Sequence, residues 1–560
     1  MWSRLKGKFP PILEPSKGPK TVGLAVGYFM VLNYVVGNGF LGIPFTFYHA
    51  GMVGSITIFL FIMFMEWNSA RWLFEVMSRA QALETFKQEQ LVETQSEKSD
   101  HLPALSDRSH VMPDDHPKYE ILVTRKFELT ELCQVFVGRW FKVFYLLVVI
   151  TASFIVLWTY STVAGSAWST NLPLNFGPLR MCTEEEFQDN IYPKGSGCLA
   201  AYRFCVFLFA VVVLPLSLLD LKNVGVIQTI FGGLRFAIIG AMVLYALFNL
   251  GIGGLQGGVP LSANGTESNL TGNVLSDFVY GFSFTGWLSA IALFTSALII
   301  HPGLSTLTHP IKNKKPLGWF VLSIYGTVAV FYVLMGVILT LWFGSDVNST
   351  ITLNWVPSTK SDHSVAIRVL SYFIILVPSI ISAYPLVVYF TSNNIYLVLM
   401  GKDTSQKTST REWVVLVLIK AIFGVLPLIV ALFVSNLIFI LKYAGLVAFL
   451  TSALFPGVLQ LTSQRKCAKV FGGKREGVAD SQPTPSTGLE MDTIKREEGA
   501  PLMEGEKADG EKEASRMRKD AVYTTPYSLP VLSHPIAAIV QLAVAGVLFV
   551  AACASIAYRK

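Results

Sequence analysis

The chain has 560 residues, of which 52% are apolar, 12% aromatic and only 14% charged, with a mean hydropathy of +0.51. That length admits several soluble domains, but the apolar residues run in blocks of about twenty instead of alternating at helix or strand period, which excludes a soluble globular protein and predicts a polytopic α-helical membrane protein. The formal net charge of +7 is spread over the connections between blocks and reads as membrane topology, not as nucleic-acid binding.

Eleven segments are long enough to cross roughly 30 Å of hydrocarbon: 22–46, 52–77, 141–164, 201–220, 224–249, 280–306, 318–343, 366–399, 413–435, 440–462 and 535–557. Residues 1–21 carry Arg4, Lys6, Lys8, Lys17 and Lys20, which predicts a cytosolic N-terminal segment. The first apolar run is too long for a signal-peptide core and lacks a small-residue cleavage site, so it is expected to stay as an anchor. Counting spans from there, the connections with Lys312, Lys314 and Lys315 and with Lys402, Lys407 and Arg411 also fall in the cytosol, whereas 251–279 faces outward and has no Lys or Arg. The three N-x-[ST] sequons, at Asn264, Asn269 and Asn348, all lie in connections that the charge rule places outside, as glycan acceptors require. Cys182 and Cys198 share the outward 165–200 connection, where oxidation is expected, and are predicted to form a disulfide.

Two long polar stretches interrupt the bundle, 79–126 and 464–530. Both are too poor in apolar residues to fold alone and are expected to be disordered cytosolic loops. Between the first and the third span, Phe127, Leu129, Leu132, Val135 and Phe136 suit a short amphipathic helix at the interface. Tyr119 to Leu122 and Glu498 to Met503 have the form of tyrosine-based and acidic dileucine sorting signals, which would engage sorting adaptors; solvated linker is the plainer alternative.

The first span carries Gly37-Asn38-Gly39 at its centre, with Gly42 and Pro44 close behind. Unpaired backbone in lipid costs several kcal/mol per group, so a break at mid-depth survives only against protein or a water-filled cavity; close helix packing through small residues is the alternative. The sixth span carries His301-Pro302-Gly303. The first and sixth spans run in opposite directions, and interruptions at corresponding places point to two inverted five-helix repeats, 22–250 and 280–463, with a binding site at the breaks and an eleventh helix at 535–557.

The stretch "NYVVGNGFLGIPFTFYHAG" resembles the first helix of the amino acid/auxin permease family, within the amino acid-polyamine-organocation superfamily. "IIHPGLSTLTHPIKNKK" and "KFELTELCQVFVG" are most similar to its transmembrane protein 104-like group. The resemblance implies an all-α LeuT-like five-plus-five fold with an eleventh helix, and coupled transport of amino acids.

An amino-acid zwitterion needs an anion site and a cation site side by side, and unwound backbone supplies both. N–H groups at Gly37, Asn38 and Gly39, opening the second half-helix, suit the carboxylate, and Val36 beside them is counted in the substrate site. Carbonyls ending the first half-helix, and those near Ser296, Ile300, His301 and Gly303, suit the ammonium. The family's sodium-coupled members imply a cation ligand at Asn33, with hydroxyls of the eighth span at Ser379 and Ser382 as hard-oxygen partners; an interhelical hydrogen bond is the alternative for Asn33. His301 offers a proton as the rival coupling ion, with a neutral hydrogen-bond partner as its alternative. Tyr160 is the candidate aromatic lid, with core packing as its alternative. Glu66 and Arg235 are expected to pair or to contact the cytosolic gate, Arg71 and Glu75 to sit at the interface, and Arg368 and Lys442 to snorkel.

No nucleotide-binding, metalloprotease or nucleophile-elbow motif is present, so an enzyme is not expected. No cofactor is implied beyond Na+ or H+. The expected function is secondary active transport of amino acids, neutral ones in view of the missing acidic residue at the breaks, in the plasma or an endolysosomal membrane. An amino-acid sensor that signals through its cytosolic loops is the competing class.

Overall fold

The computed structural model describes residues 22–36, 39–97, 119, 122, 126–172, 174–187, 195–218, 221–253, 283–348, 350–355, 378–401, 409–472 and 524–557. In chain order the helices are α1 (Leu24–Val36), a 3-10 turn (Gly39–Gly42), α2 (Ile43–Ala50), α3 (Met52–Glu97), α4 (Leu129–Phe136), α5 (Arg139–Asn171), α6 (Ser196–Leu218) and α7 (Leu221–Gly253). They continue as α8 (Phe284–Ala297), α9 (His301–Thr308), α10 (Leu317–Phe343), α11 (Pro378–Met400), α12 (Thr410–Ala431), α13 (Leu437–Phe449), a π turn (Leu450–Leu454), α14 (Phe455–Gly472) and α15 (Pro535–Ala557).

Nine helical stretches among the described residues are long and apolar enough to cross a membrane, and the first span, α1 with the turn and α2 bent by 44°, makes a tenth. The 23-residue α11 stands where the eighth span is expected, its apolar character diluted by the buried run Thr391, Ser392, Asn393 and Asn394. The protein is an all-α, multi-pass membrane protein. The span Gly286–Thr308, which contains α8 and α9, is the most enclosed: 83% of its apolar window is buried, against 22% for the last helix. Among the described spans, the one containing α8 and α9 is therefore the most enclosed and α15 the most exposed. α1 lies on α7 and α8 on α13, while α2 packs against α10 and α3 against α8.

Several expectations change at the helix ends. α3 does not stop near residue 78 but runs to Glu97, because Ser78, Arg79, Ala80, Gln81, Ala82 and Leu83 are buried against protein and keep the helix covered. The first part of the 79–126 stretch is thus helix, and residues 98–118 lie outside the described residues, as do 473–523 and both sequons at Asn264 and Asn269. The tenth span is longer than 440–462 and runs through the π turn into α14. α4 does form, but Leu129, Leu132, Cys133 and Phe136 are buried in the protein, not laid on the membrane surface. Burial pushes the Cys133 thiol well above its ordinary range, which keeps it an uncharged packing group.

Arg71 and Glu75 do not sit at the interface. They are 2% and 0% exposed and form one cluster with Arg79. Glu75 is 3.3 Å from Arg71 and 3.0 Å from Arg79, and it accepts hydrogen bonds from Gln460 of α14 at 2.8 Å and from Ser533 at 2.6 Å. Spacing of four residues stacks the three side chains on one face of α3. The stretch preceding α15 closes over them: Arg71 donates to the Tyr527 carbonyl and to Ser533, and Trp72 donates to the Leu532 carbonyl at 2.9 Å. The Tyr527 hydroxyl donates to the Lys314 carbonyl at 3.1 Å and accepts from the Leu122 N–H at 3.4 Å.

That last bond bears on sorting. Leu122 is only 7% exposed, and the Tyr119 ring packs edge-on to Phe471. Both side chains that an adaptor would grip in Tyr119–Leu122 are used inside the fold; Glu498–Met503 lies outside the described residues. Asn348 is 8% exposed and its N–H donates to Asn354 Oδ1 at 2.9 Å, so the folded loop hides this acceptor asparagine. Cys182 and Cys198 are joined, with Cα atoms 4.8 Å apart. Arg368 and the Lys442 side chain lie outside the described residues.

Removing the shared anion from the Arg71–Glu75–Arg79 cluster leaves two buried guanidinium groups uncompensated. Glu75→Ala should destabilise the folded protein by about 3–5 kcal/mol, and Glu75→Gln by less, because an amide oxygen still accepts a hydrogen bond. Thermal unfolding of the two purified variants in detergent checks the order; equal midpoints for wild type and Glu75→Ala would refute it.

Candidate functional site

α1 ends at Val36 and the chain continues at Gly39 in a 3-10 turn; Gly37 and Asn38 lie outside the described residues. The sixth span breaks over Leu298–Ile300, slightly before His301-Pro302-Gly303. The shift has a simple cause. Proline lacks an N–H and fits the first turn of a helix, where that donor has no intrahelical partner, so Pro302 opens α9 instead of interrupting it.

The two breaks face each other. A Cβ on Gly39 would fall closer than 3.0 Å to Ala297, the last residue of α8, and one on Gly42 would meet Leu293 a turn earlier. Glycine at position 39 is thus a matter of backbone approach. Gly303 plays a similar part on α9, where a Cβ would stand 3.0 Å from the Tyr34 ring of α1.

Each helix end leaves carbonyls without intrahelical donors, and here side chains of other helices supply them. Tyr332 donates to the Val36 carbonyl and Tyr325 to the Leu298 carbonyl, both at 3.0 Å. The two tyrosines are seven residues apart on α10 and therefore on one face. Farther along that face, Thr340 donates to the Pro44 carbonyl at 2.9 Å. Arg235 of α7, fully buried, donates to the Asn33 carbonyl at 3.1 Å. Arg235 therefore does not pair with Glu66; it adds a fixed positive charge to the end of α1.

Glu66 instead faces His301. Its Oε2 is 3.4 Å from His301 Nδ1, with side chains 5% and 0% exposed, and His301 Nε2 is 2.9 Å from Ser69 Oγ. Beside them a cavity of about 10 Å³, lined by Glu66, Ser69, Thr295 and Ser452 among others, is on the scale of one water.

The remaining site residues separate into groups. Val36 and Ile300 are buried at the two breaks. The Ser296 hydroxyl donates within its own helix, to Leu293 O at 2.8 Å. Asn33 is buried against Gly232 of α7, where a Cβ would sit 3.5 Å from its own Cβ; the side chains of Ser379 and Ser382 lie outside the described residues. Tyr160 is buried on α5, its ring centroid 6.5 Å from that of Tyr384, and Arg235 lies within its electrostatic range.

Sequence reasoning missed Ser69, Ser452, Tyr325 and Tyr332. Ser69 follows Glu66 by three residues on one helix face, a signal that was available. The two tyrosines carry only their i, i+7 spacing. Ser452 has no local mark; it reaches the site through the π turn. Lys420, 3% exposed on α12 with its ammonium 5.0 Å from the centre of the Tyr389 ring, was also unforeseen.

No protein-family model matches the chain. Among known proteins it is similar to the transmembrane protein 104 homologs of Caenorhabditis elegans and Caenorhabditis briggsae, each 24% identical over 381 residues, 68% of this chain and 69% of the relative. Transmembrane protein 104 of Mus musculus is 21% identical over 393 residues, 66% of this chain and 73% of that protein. Among solved structures, the crystal structure of MhsT in complex with L-phenylalanine superposes with a TM-score of 0.46 at 12% identity, covering 81% of this chain and 98% of that one. The chain is a distant relative of the transmembrane protein 104 proteins.

Proposed function

We propose that the protein is a secondary active transporter of amino acids, neutral ones among them, working by alternating access and driven by a sodium or proton gradient. The observation that carries this is the meeting of the two helix ends, Gly39 against Ala297, inside a membrane protein. Interrupted helices that face each other present backbone donors and acceptors to one small volume, the arrangement that suits a zwitterion.

In this proposal the N–H groups of the Gly37–Gly39 stretch receive the carboxylate. The ammonium shares carbonyls of the α1 and α8 ends, three of which already accept from Tyr332, Tyr325 and Arg235. A carbonyl oxygen has two lone pairs, so such sharing is chemically available. The Arg235 guanidinium nearby disfavours a cationic substrate side chain at the α1 end. The pairing of α1 with α7 and of α8 with α13 supports two five-helix repeats, 22–250 and 280–463, the second entering the membrane in the opposite sense, with basic loops and residues 1–21 in the cytosol. The Cys182–Cys198 bond and glycans at Asn264 and Asn269 belong to the outer face in the same proposal.

Uptake of labelled L-leucine, L-phenylalanine, L-serine and L-glutamine into proteoliposomes, under a sodium gradient, a pH gradient or neither, tests it. Gradient-driven accumulation of at least one is expected; binding without uptake would replace transport by sensing. In the same vesicles Gly39→Ala should lose uptake, because the added methyl forces the turn off α8 at a cost of about 1–3 kcal/mol of overpacking. Wild-type uptake by that variant would remove the breaks from the substrate path.

A further inference from the structure

Two titratable side chains of the bundle are turned toward each other with nothing between them. Glu66 Oε2 and His301 Nδ1 stand 3.4 Å apart, and neither atom makes another hydrogen bond within 3.5 Å, the Ser452 hydroxyl being the further polar group within reach of the Glu66 carboxyl. Both side chains are almost wholly buried. Ionisable residues at such depth are costly and are retained for ion or substrate pathways far more often than for stability.

The surrounding bonds decide where protons sit. Ser69 Oγ donates along its own helix, to Met65 O at 2.9 Å or Glu66 O at 3.1 Å. In the tautomer in which that bond is kept, Ser69 accepts from His301 and the Nε2 atom at 2.9 Å carries the hydrogen. The Nδ1 atom is then the exchangeable position and it faces the carboxyl group. One proton between Nδ1 and Oε2 makes a hydrogen-bonded pair with no net charge. Without that proton, a carboxylate and an imidazole lone pair confront each other in a nearly dry site, an arrangement that drives the two helices apart.

The pair also spans the moving parts. Glu66 belongs to α3, while His301 is the first residue of α9, directly after the break at Leu298–Ile300. On the third side lies the π turn, whose Ser452 lines the same small cavity with Thr295 of α8; π turns recur where helices flex or bind. Other titratable groups around the pair are few among the described residues. Tyr325 of α10 lies within range of Glu66 and donates to Leu298 O. Arg71 and Glu75 follow on α3, paired with one another and with Arg79. The last helix contributes uncharged Gln541, which donates to Met65 O at 2.9 Å. At the end of α1, where a sodium ion was the rival expectation, Arg235 already presents its charge to the Asn33 carbonyl.

We propose that the coupling ion is a proton, held between Glu66 and His301, and that its arrival and departure set the position of α9 against α3. Loading places one proton on the pair from one aqueous side, and unloading returns it to water on the other. The proposal rests on the transport function above and names its driver.

The test uses the full-length protein in liposomes containing a pH-sensitive dye, with the four labelled amino acids named above. Two assays run in parallel: accumulation under an inward pH gradient, and counterflow exchange with no gradient. Wild type should accumulate substrate with acid outside and acidify the lumen on substrate addition. Glu66→Gln should cut gradient-driven accumulation about tenfold, the scale of a lost coupling free energy, and abolish the acidification while measurable counterflow persists. Wild-type acidification in Glu66→Gln, or accumulation driven by sodium alone, overturns the proposal. Should the variant fail to insert, infrared difference spectra of wild type decide: a protonated-carboxyl band that changes with substrate supports the pair, and its absence counts against it. Absence of counterflow in wild type defeats the transport function itself, an outcome separate from any proton result.

Discussion

The structure depends on how backbone groups freed at two helix ends are satisfied inside the protein. A buried carbonyl left without a donor is costly. Here α10 carries the remedy, with Tyr325 and Tyr332 on one face holding the Leu298 and Val36 carbonyls. Arg235 adds a third bond from α7, at Asn33. Because the donors come from side chains of two other helices, the breaks are held by tertiary contacts, and any rearrangement of α1 or α9 must exchange these bonds.

Charge burial follows the same rule of local compensation. The Arg71–Glu75–Arg79 cluster is closed by neutral acceptors and donors from α14 and from the stretch before α15, so that Gln460, Ser533 and the Tyr527 carbonyl complete what one carboxylate cannot. Glu66 and His301 differ in that the ionisable partner each faces at close range stands on another helix.

The sequence exposes the breaks because glycine and proline are punctuation that local physics alone interprets: Gly39 is needed for approach to Ala297, and Pro302 for a helix start. It places the sixth-span break a few residues too late, since a proline reads equally as an interruption or as a first turn. It assigns Arg71 and Glu75 to the interface because hydropathy falls after residue 70, whereas their burial comes from segments 385 to 458 residues away in sequence. Partners at such separations leave no trace in a single chain. The same limit hid the Arg235–Asn33 contact and the role of Ser452, and it made Tyr119–Leu122 look like a free signal when Leu122 is already bonded to Tyr527.

The polar stretch 473–523 starts from α14, whose Gln460 and Gln464 are buried, and ends at the segment sewn to α3 and to Lys314. Both anchor points are fixed by contacts that owe nothing to the length between them. That makes the sequence between the two anchors a natural port for a foreign domain: a fluorescent reporter spliced there would leave the contacts of both anchors in place, and would follow the protein through the cell as one covalent chain.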